Sequence, residues 1–265
     1  MSLHPLNDSV VALMRSVSTE IILPYFGNLK DGDITEKSPG DLVTVADKKS
    51  ETALSCGLAD LLPNAVMVGE EAVAADASLL AGLNADQAWI VDPIDGTGNF
   101  ASGRQPFGII VALAEKGETV AGWLYDPVIQ RLSHAHFGHG AFINGKPIKS
   151  SSSGAKLPIA AVATGFMSEE QRERTLDIAE GRYQLVDIPR CCVEQYPRLV
   201  LGQNDISVFE RTLPWDHAAG ILFVNEAGGK ACRFDGSPYR VDDKRSGLLA
   251  AATPELWEEA ATIFK

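Results

Sequence analysis

The chain has 265 residues, 45% of them hydrophobic and 22% charged, with a formal net charge of −12 at pH 7. That length buries a large core, as one big domain or as two tightly packed lobes. No run of Lys and Arg supplies the clustered positive charge that a sequence-independent grip on nucleic acid needs, and the acidic balance argues equally against an anionic membrane surface. A small anionic substrate stays open, because a bound cation reverses the local field.

Cys56, Cys191, Cys192 and Cys232 form no CxxC pair and no zinc spacing. No apolar run approaches the ~20 residues of a membrane span, and the N-terminus has no apolar leader. The expectation is a reduced, cytoplasmic protein.

In chain order, Val10, Leu13, Met14, Val17, Ile21 and Ile22 repeat at helical spacing between Pro5 and Gly27. A polar loop is expected from Lys30 to Gly40, then a helix from Thr44 to Leu62, stopped by Pro63-Asn64. Ala65 to Val68 reads as a short strand that ends in Gly69-Glu70-Glu71, and the Ala-rich stretch 72–87 as a covering helix or loop. The strand Trp89-Ile90-Val91 runs into Asp92-Pro93-Ile94-Asp95-Gly96-Thr97-Gly98. Strands follow at Phe107–Ala114, Thr119–Tyr125 and Arg131–His136, with hairpins at Gly117-Glu118 and Asn144-Gly145.

Ser150 to Gly154 is a flexible join between an N-terminal α+β lobe (1–149) and a C-terminal α/β lobe (150–265). Beyond it, strands at Ile159–Thr164, Gln184–Ile188, Ile206–Phe209 and Leu248–Ala252 alternate with helices at Ser168–Ala179, Glu194–Leu201, Trp215–Ala227 and Glu255–Phe264.

Asp92 and Asp95 flank a proline that forces the strand to turn, which can bring both carboxylates and the Ile94 carbonyl to one side; the alternative is a helix-capping Asp and a solvated Asp in a loop. Oxygen ligands of this kind suit Mg²⁺. Glu70, at the end of another strand, and Asp216, at a helix start, are the acids that could join them; each reads alone as an acidic turn or a dipole-favoured residue. Gly96-Thr97-Gly98-Asn99-Phe100-Ala101 matches a GxGxxA turn, but Gly103 and Pro106 leave no room for the long helix of a dinucleotide site. The glycines instead expose the N–H groups of Gly96 and Thr97 to one phosphate. His134, His136 and His139 read as a solvated hairpin face, with His134 and His136 on one side, and His217 as a helix-start residue. Trp89, Trp123 and Phe142 read as core, and Cys191 as small core packing.

Together these pieces resemble the inositol monophosphatase family. The resemblance rests on Trp89-Ile90-Val91-Asp92-Pro93-Ile94-Asp95-Gly96-Thr97, Gly69-Glu70-Glu71, Trp215-Asp216-His217-Ala218-Ala219-Gly220 with Glu226-Ala227-Gly228-Gly229, Lys37 to Thr44 with Asp47, and Gly140 to Gly145, in the family's order. It implies a layered α-β-α-β-α sandwich shared with fructose bisphosphatases, and Mg²⁺-dependent, lithium-sensitive hydrolysis of a small phosphomonoester, in a family that is often homodimeric. Glu70, Asp92, the Ile94 carbonyl, Asp95 and Asp216 would hold two Mg²⁺ ions, and Glu70 would help hold a third, looser one. Thr97 with Asp47 would activate the water, while Gly96 and Thr97 would hold the phosphate. Lys37 would approach the phosphate, the alternative being a solvated loop lysine; Glu210 and Arg190 would contact the substrate, as would Asp95.

Inositol 1-phosphate leads as substrate, ahead of fructose 1,6-bisphosphate, 3′-phosphoadenosine 5′-phosphate and histidinol phosphate; a non-catalytic RNA- or protein-binding regulator is the rival. The chain departs from the family at Gly98, where Thr is common, and at Arg190-Cys191-Cys192-Val193, where a Gly-Ser/Thr-Ala-Ala run is usual. A bisphosphate would need a second basic pocket, for which Arg190, Arg198 and Arg211 are the candidates.

Overall fold

The apolar spacing of the first segment forms α1 (Asn7–Val17), which passes through a π turn (Ser18–Ile22) into α2 (Leu23–Tyr25). A computed structural model describes residues 4–38 and 40–264. The stretch expected as a polar loop holds an antiparallel hairpin instead, β1 (Ile34–Ser38) with β2 (Asp41–Thr44). Most β1 side chains face solvent, so no apolar alternation marked it. Pro39, in the expected loop, lies outside the described residues. Thr44 then caps α3 (Val45–Leu61): its hydroxyl accepts the Ala46 N–H, and the Asp47 carboxylate accepts the Thr44 N–H at 2.8 Å.

The next elements are β3 (Val66–Gly69), α4 (Glu70–Ala75), a 3-10 stretch (Ala77–Asn84), β4 (Gln87–Asp95), α5 (Thr97–Ala101), β5 (Gly108–Glu115), β6 (Glu118–Asp126), β7 (Arg131–His136), β8 (Gly140–Ile143) and β9 (Lys146–Ile148). The seven strands form one sheet in sequence order, antiparallel except for β3 beside β4. That parallel pair sets Gly69 opposite Val91, so Glu70 and Asp92 leave the sheet at the same edge. Both expected hairpins are present, and Lys116-Gly117 and Asn144-Gly145 all take positive φ, the backbone that matches strand twist.

His134 and His136 share a face, as alternation predicts, but the face is not solvated. Both are buried, with Nδ1 of His134 3.1 Å from Nε2 of His136. The cause is the chain before α1: His4 stacks on His136 with ring centroids 5.9 Å apart. Burial pushes the pKa of His134 down to about 4 and that of His136 to about 3.

The C-terminal half contains β10 (Ile159–Ala163), a 3-10 turn (Thr164–Phe166), α6 (Glu169–Ala179), β11 (Gln184–Val186), α7 (Cys192–Val200), β12 (Ile206–Phe209), α8 (Pro214–Glu226), β13 (Lys230–Cys232), β14 (Leu248–Ala251) and α9 (Pro254–Ile263). They build a five-stranded sheet in the order β11-β10-β12-β14-β13. Strands β10, β11 and β12 run parallel, whereas β14 is antiparallel to β12.

Side-chain alternation produces the layers. Trp89 and Val91 of β4 face α1 and α3; Ile90 faces a middle layer with Tyr196 of α7 and Phe223 of α8. That middle layer also takes Leu248 and Ala250 of β14, while Leu249 and Ala251 face Ala179 of α6 and Trp257 of α9. The result is the expected α-β-α-β-α sandwich. Among the described residues no helix is long and apolar enough to cross a membrane.

Helix α8 fits this middle layer because it carries small residues. A Cβ on Gly220 would stand 2.0 Å from the Tyr196 ring. Gly220→Ala is therefore expected to cost about 2 kcal/mol despite its better helix propensity. A urea midpoint unchanged from wild type would contradict this packing.

Candidate active site

Strand β4 does not end cleanly. Its register with β5 shifts between Asp92 and Asp95, and this irregularity at Pro93 turns both carboxylates to one side. Asp216 enters from the first turn of α8, where the helix dipole favours an anion. One carboxylate oxygen each from Asp92, Asp95 and Asp216 lie within 4.8 Å of one another.

Asp92 and Asp95 are buried and Asp216 is largely so. Burial first, and repulsion from Glu70 and Asp95 next, push the Asp92 pKa well above the carboxylate range. Asp216 is raised for the same reasons. Asp95 rises only to about 6, because burial is offset by the Val193 N–H and the Cys191 thiol, which donate to its Oδ2 at 2.6 and 3.0 Å. Hard oxygen donors crowded at this cost in a low dielectric fit a divalent cation such as Mg²⁺.

Glu70 stands beside this group, at the start of α4, and acts electrostatically on Asp92, Asp95, Asp47 and Asp216. It is paired with Lys37 at 2.8 Å, and the same ammonium reaches Glu71 at 2.9 Å. Lys37 is thus held at the site, not in solvent. Burial opposes its charge, but the two glutamates outweigh burial and raise its pKa. Burial also pushes Glu71 up to about 7.

Glu51 was not anticipated. Its carboxylate accepts the N–H groups of Glu71 and Ala72 at 2.7 and 2.8 Å and so caps α4. It also explains Gly69, where a Cβ would stand 2.4 Å from that carboxylate.

The Thr97 hydroxyl lies 2.9 Å from the Ile94 carbonyl and 3.2 Å from Asp47 Oδ1. It has one proton and two acceptors within reach. Asp47 is 1% exposed; burial pushes its pKa up to about 6, moderated by the Thr44 donors. Gly96, at φ +84°, holds the turn: a Cβ would stand 3.0 Å from the Pro106 carbonyl and 3.2 Å from Cys191 Cβ. The following helix, α5, stops at Ala101, which is too short for a dinucleotide turn. Asn99 ties this turn across to the other half of the chain through the Pro189 carbonyl at 3.0 Å.

The expected substrate contacts are less gathered. Arg190 is exposed, one residue beyond Pro189. The Glu210 carboxylate accepts from Ser246 at 3.0 Å and lines a groove with Met167, Gln171 and Phe234. Its neighbour Arg211 is the residue that reaches Asp216, at 3.8 Å. His217 faces away from the carboxylates, between the Tyr196 hydroxyl and the Arg211 carbonyl at 2.6 and 3.0 Å. Nothing local in the sequence marks Glu51, the Cys191 thiol or the Val193 N–H as part of the site, since their partners lie 20 to 98 residues away.

A layered sandwich whose two sheets converge on buried carboxylates, a hydroxyl–carboxylate pair and a glycine turn is the architecture of a phosphate-handling protein with hard-cation ligands. The profile of the inositol monophosphatase family matches residues 3–265. The chain is 30% identical to the inositol-1-monophosphatase of Bacillus subtilis over 236 residues, covering 87% of this chain and 85% of that protein. It is 30% identical to the Nus factor SuhB of Pasteurella multocida over 97% of this chain and 94% of the relative. The crystal structure of the extragenic suppressor protein suhB from Bartonella henselae superposes with a TM-score of 0.82 over 99% of both chains, at 24% identity, a likeness of fold. The chain belongs to the inositol monophosphatase family, and with it to a family of phosphatases.

Proposed function

We propose that the chain hydrolyses the phosphomonoester of a small sugar or inositol with Mg²⁺, with inositol 1-phosphate as the reference substrate. The observation that carries this reading is the convergence of Asp92, Asp95 and Asp216 within 4.8 Å beside the Thr97–Asp47 pair. Asp92, Asp95, Asp216, Glu70 and the Ile94 carbonyl would hold the cations: two Mg²⁺, with a third more loosely held at Glu70. Bound there, Mg²⁺ supplies the positive charge that offsets the phosphate dianion and eases deprotonation of the attacking water.

The chain's own residues do the rest. Thr97 orients the water, and Asp47 Oδ1 takes the proton through the Thr97 hydroxyl. A carboxylate raised to about 6 is a better base near neutrality than an ordinary aspartate. The N–H groups of Gly96 and Thr97 donate to phosphate oxygens and orient the phosphorus for in-line attack. Lys37 adds charge at the Glu70 side. The two halves, residues 1–149 and 150–265, each supply ligands to this one site.

The likeness to a Nus factor favours a second reading, a contact role without catalysis. A scaffold kept only for contact has no reason to retain Asp47, Glu70, Asp92, Asp95, Thr97 and Asp216 together, and all six are present.

The test is Thr97→Ala. It should lower kcat by about 10²-fold with KM little changed, as expected when a proton-transfer group is removed. Asp47→Asn should do the same, and the double variant should be no worse than either single one, because the two act as one relay. Additive losses would contradict the pairing.

A further inference from the structure

Strand β7 stands three places from β4 in the seven-stranded sheet, and each place is about 4.8 Å, so β7 lies well away from the strand that carries Asp92 and Asp95. Two of its side chains, His134 and His136, are each 1% exposed and have no part in the proposed hydrolysis. Alternation puts both rings on the face of the sheet that Trp123 takes, the face covered by α1.

Aromatic walls fix these rings. Phe142 stacks on His134 with centroids 5.2 Å apart, and Trp123 meets His136 edge-on at 5.5 Å. Nδ1 of His134 and Nε2 of His136 are thereby held 3.1 Å apart. Two nitrogens bound to one tetrahedral Zn²⁺ stand about 3.3 Å from each other, so the pair is already spaced as a chelate. As a structural hydrogen bond the pair is incomplete. Whichever ring supplies the proton between them, His136 Nδ1 is buried without a partner, a cost that two apolar side chains would avoid.

A third imidazole stands over the pair. His4 stacks on His136 with centroids 5.9 Å apart, and its Nδ1 accepts the Leu6 N–H at 3.3 Å, which leaves Nε2 as its donor atom. Binding a metal asks one adjustment of this half-buried side chain, a rotation that gives up only that long hydrogen bond. The local charge suits a cation, since Asp8 acts on His134 and Glu115 on His4. Burial keeps His134 and His136 neutral at pH 7, so no proton competes for their lone pairs.

We propose that His134, His136 and His4 form a binding site for a divalent transition metal, with Zn²⁺ as the ion that fits its all-nitrogen donors, and that the bound ion ties the segment before α1 to the sheet. Imidazole suits Zn²⁺ whereas Mg²⁺ takes oxygen donors, so the two ions sort to different sites by ligand chemistry. Because the rings start neutral, binding needs a change of tautomer and no net loss of a proton. The site stands whether or not the carboxylate cluster hydrolyses an ester.

The test is Co²⁺ added to the full chain, purified without an affinity tag and freed of metal by a chelator, with visible absorption as the readout. Co²⁺ held by imidazoles in a four-coordinate site absorbs strongly, whereas Co²⁺ on carboxylates and water in a six-coordinate one is nearly colourless. Wild type should develop a strong band that saturates at one ion per chain, is displaced by Zn²⁺ and resists Mg²⁺. Asp92→Asn should leave that band in place. His134→Gln and His136→Gln should abolish it, and His4→Gln should weaken Co²⁺ binding at least about 10-fold. Where circular dichroism shows that a variant of the buried pair does not fold, His4→Gln carries the test, and Zn²⁺ alone should raise the Tm of wild type more than that of His4→Gln. No strong band in wild type, a band of full affinity in His4→Gln, or a band lost in Asp92→Asn overturns the site.

Discussion

Asp92→Asn is expected to lower Mg²⁺-dependent phosphate release by about 10³-fold, equivalent to about 4 kcal/mol of transition-state stabilisation. Asp92 is the carboxylate on which the site converges: it is 2% exposed and feels Glu70, Asp95, Asp216 and Asp47. Replacing it with a neutral amide removes a full negative charge where the cations are to bind, and the other acids cannot move in to compensate, because Asp95 is clamped by α7 and Glu70 by Lys37.

The fold should survive. The Asp92 contact that shapes the turn is acceptance of the Ile94 N–H at 3.0 Å, and an Asn carbonyl oxygen can accept it equally well. Without metal the variant should melt no lower than wild type, since folding no longer has to protonate a buried carboxylate crowded by other acids. Steady-state phosphate release and thermal melting of the same preparation check both halves. Turnover within tenfold of wild type would remove Asp92 from the chemistry.

The second large effect is on stability. In the metal-free protein, Asp92 and Asp216 have raised folded pKa values, and Glu71 is raised to about 7. An acid whose folded pKa lies above its unfolded value contributes stability at low pH, and that contribution is lost as pH rises through the folded pKa. Histidines act in the opposite sense. His134, His136 and His217 have folded pKa values of about 4, 3 and 3, so they lose stability as pH falls below the unfolded value near 6.5. Between pH 7 and 8 those histidines are largely neutral in both states, and the carboxylates dominate the slope.

Metal-free protein should therefore lose stability as pH rises from 7 to 8, by at most about 1.4 kcal/mol for each carboxyl group that stays protonated in the folded state alone. The loss should appear as a fall in Tm between the two pH values. Mg²⁺ should remove most of the fall and raise Tm more at pH 8 than at pH 7, because its ligands must be deprotonated. Melting curves in a chelator and in Mg²⁺ at the two pH values make the comparison. A metal-free Tm that rises from pH 7 to 8 would contradict the crowding of charge at this site.

These two expectations rest on residues that were legible before any coordinates. Asp92, Asp95 and Asp216 sit where a strand or helix meets a turn, and such junctions are written locally in Pro93, Gly96 and Pro214. The hairpins expected at Gly117-Glu118 and Asn144-Gly145 were legible for the same reason, the first turning one residue earlier, at Lys116-Gly117. What escaped depends on pairing across the chain. Lys37 joins Glu70 and Glu71 over 33 and 34 residues, and Val193 meets Asp95 over 98. No periodicity encodes such contacts.

The histidine face was misread because alternation tells which side a strand residue takes, not what covers that side; here His4 covers it, beside Trp123 of the neighbouring strand. The β1–β2 hairpin and β13 were missed because they are short, and β1 is largely exposed, so they carry no apolar signal.

The central claim is that the converging carboxylates serve metal-dependent hydrolysis of a phosphomonoester. The most direct measurement is phosphate release by the wild-type protein from inositol 1-phosphate, fructose 1,6-bisphosphate, 3′-phosphoadenosine 5′-phosphate and histidinol phosphate, each with Mg²⁺ and each with a chelator. The account predicts turnover of at least one of these esters in Mg²⁺, abolished by the chelator and restored when Mg²⁺ is returned. Release that continues undiminished in the chelator, or no release from any ester in Mg²⁺, would contradict it.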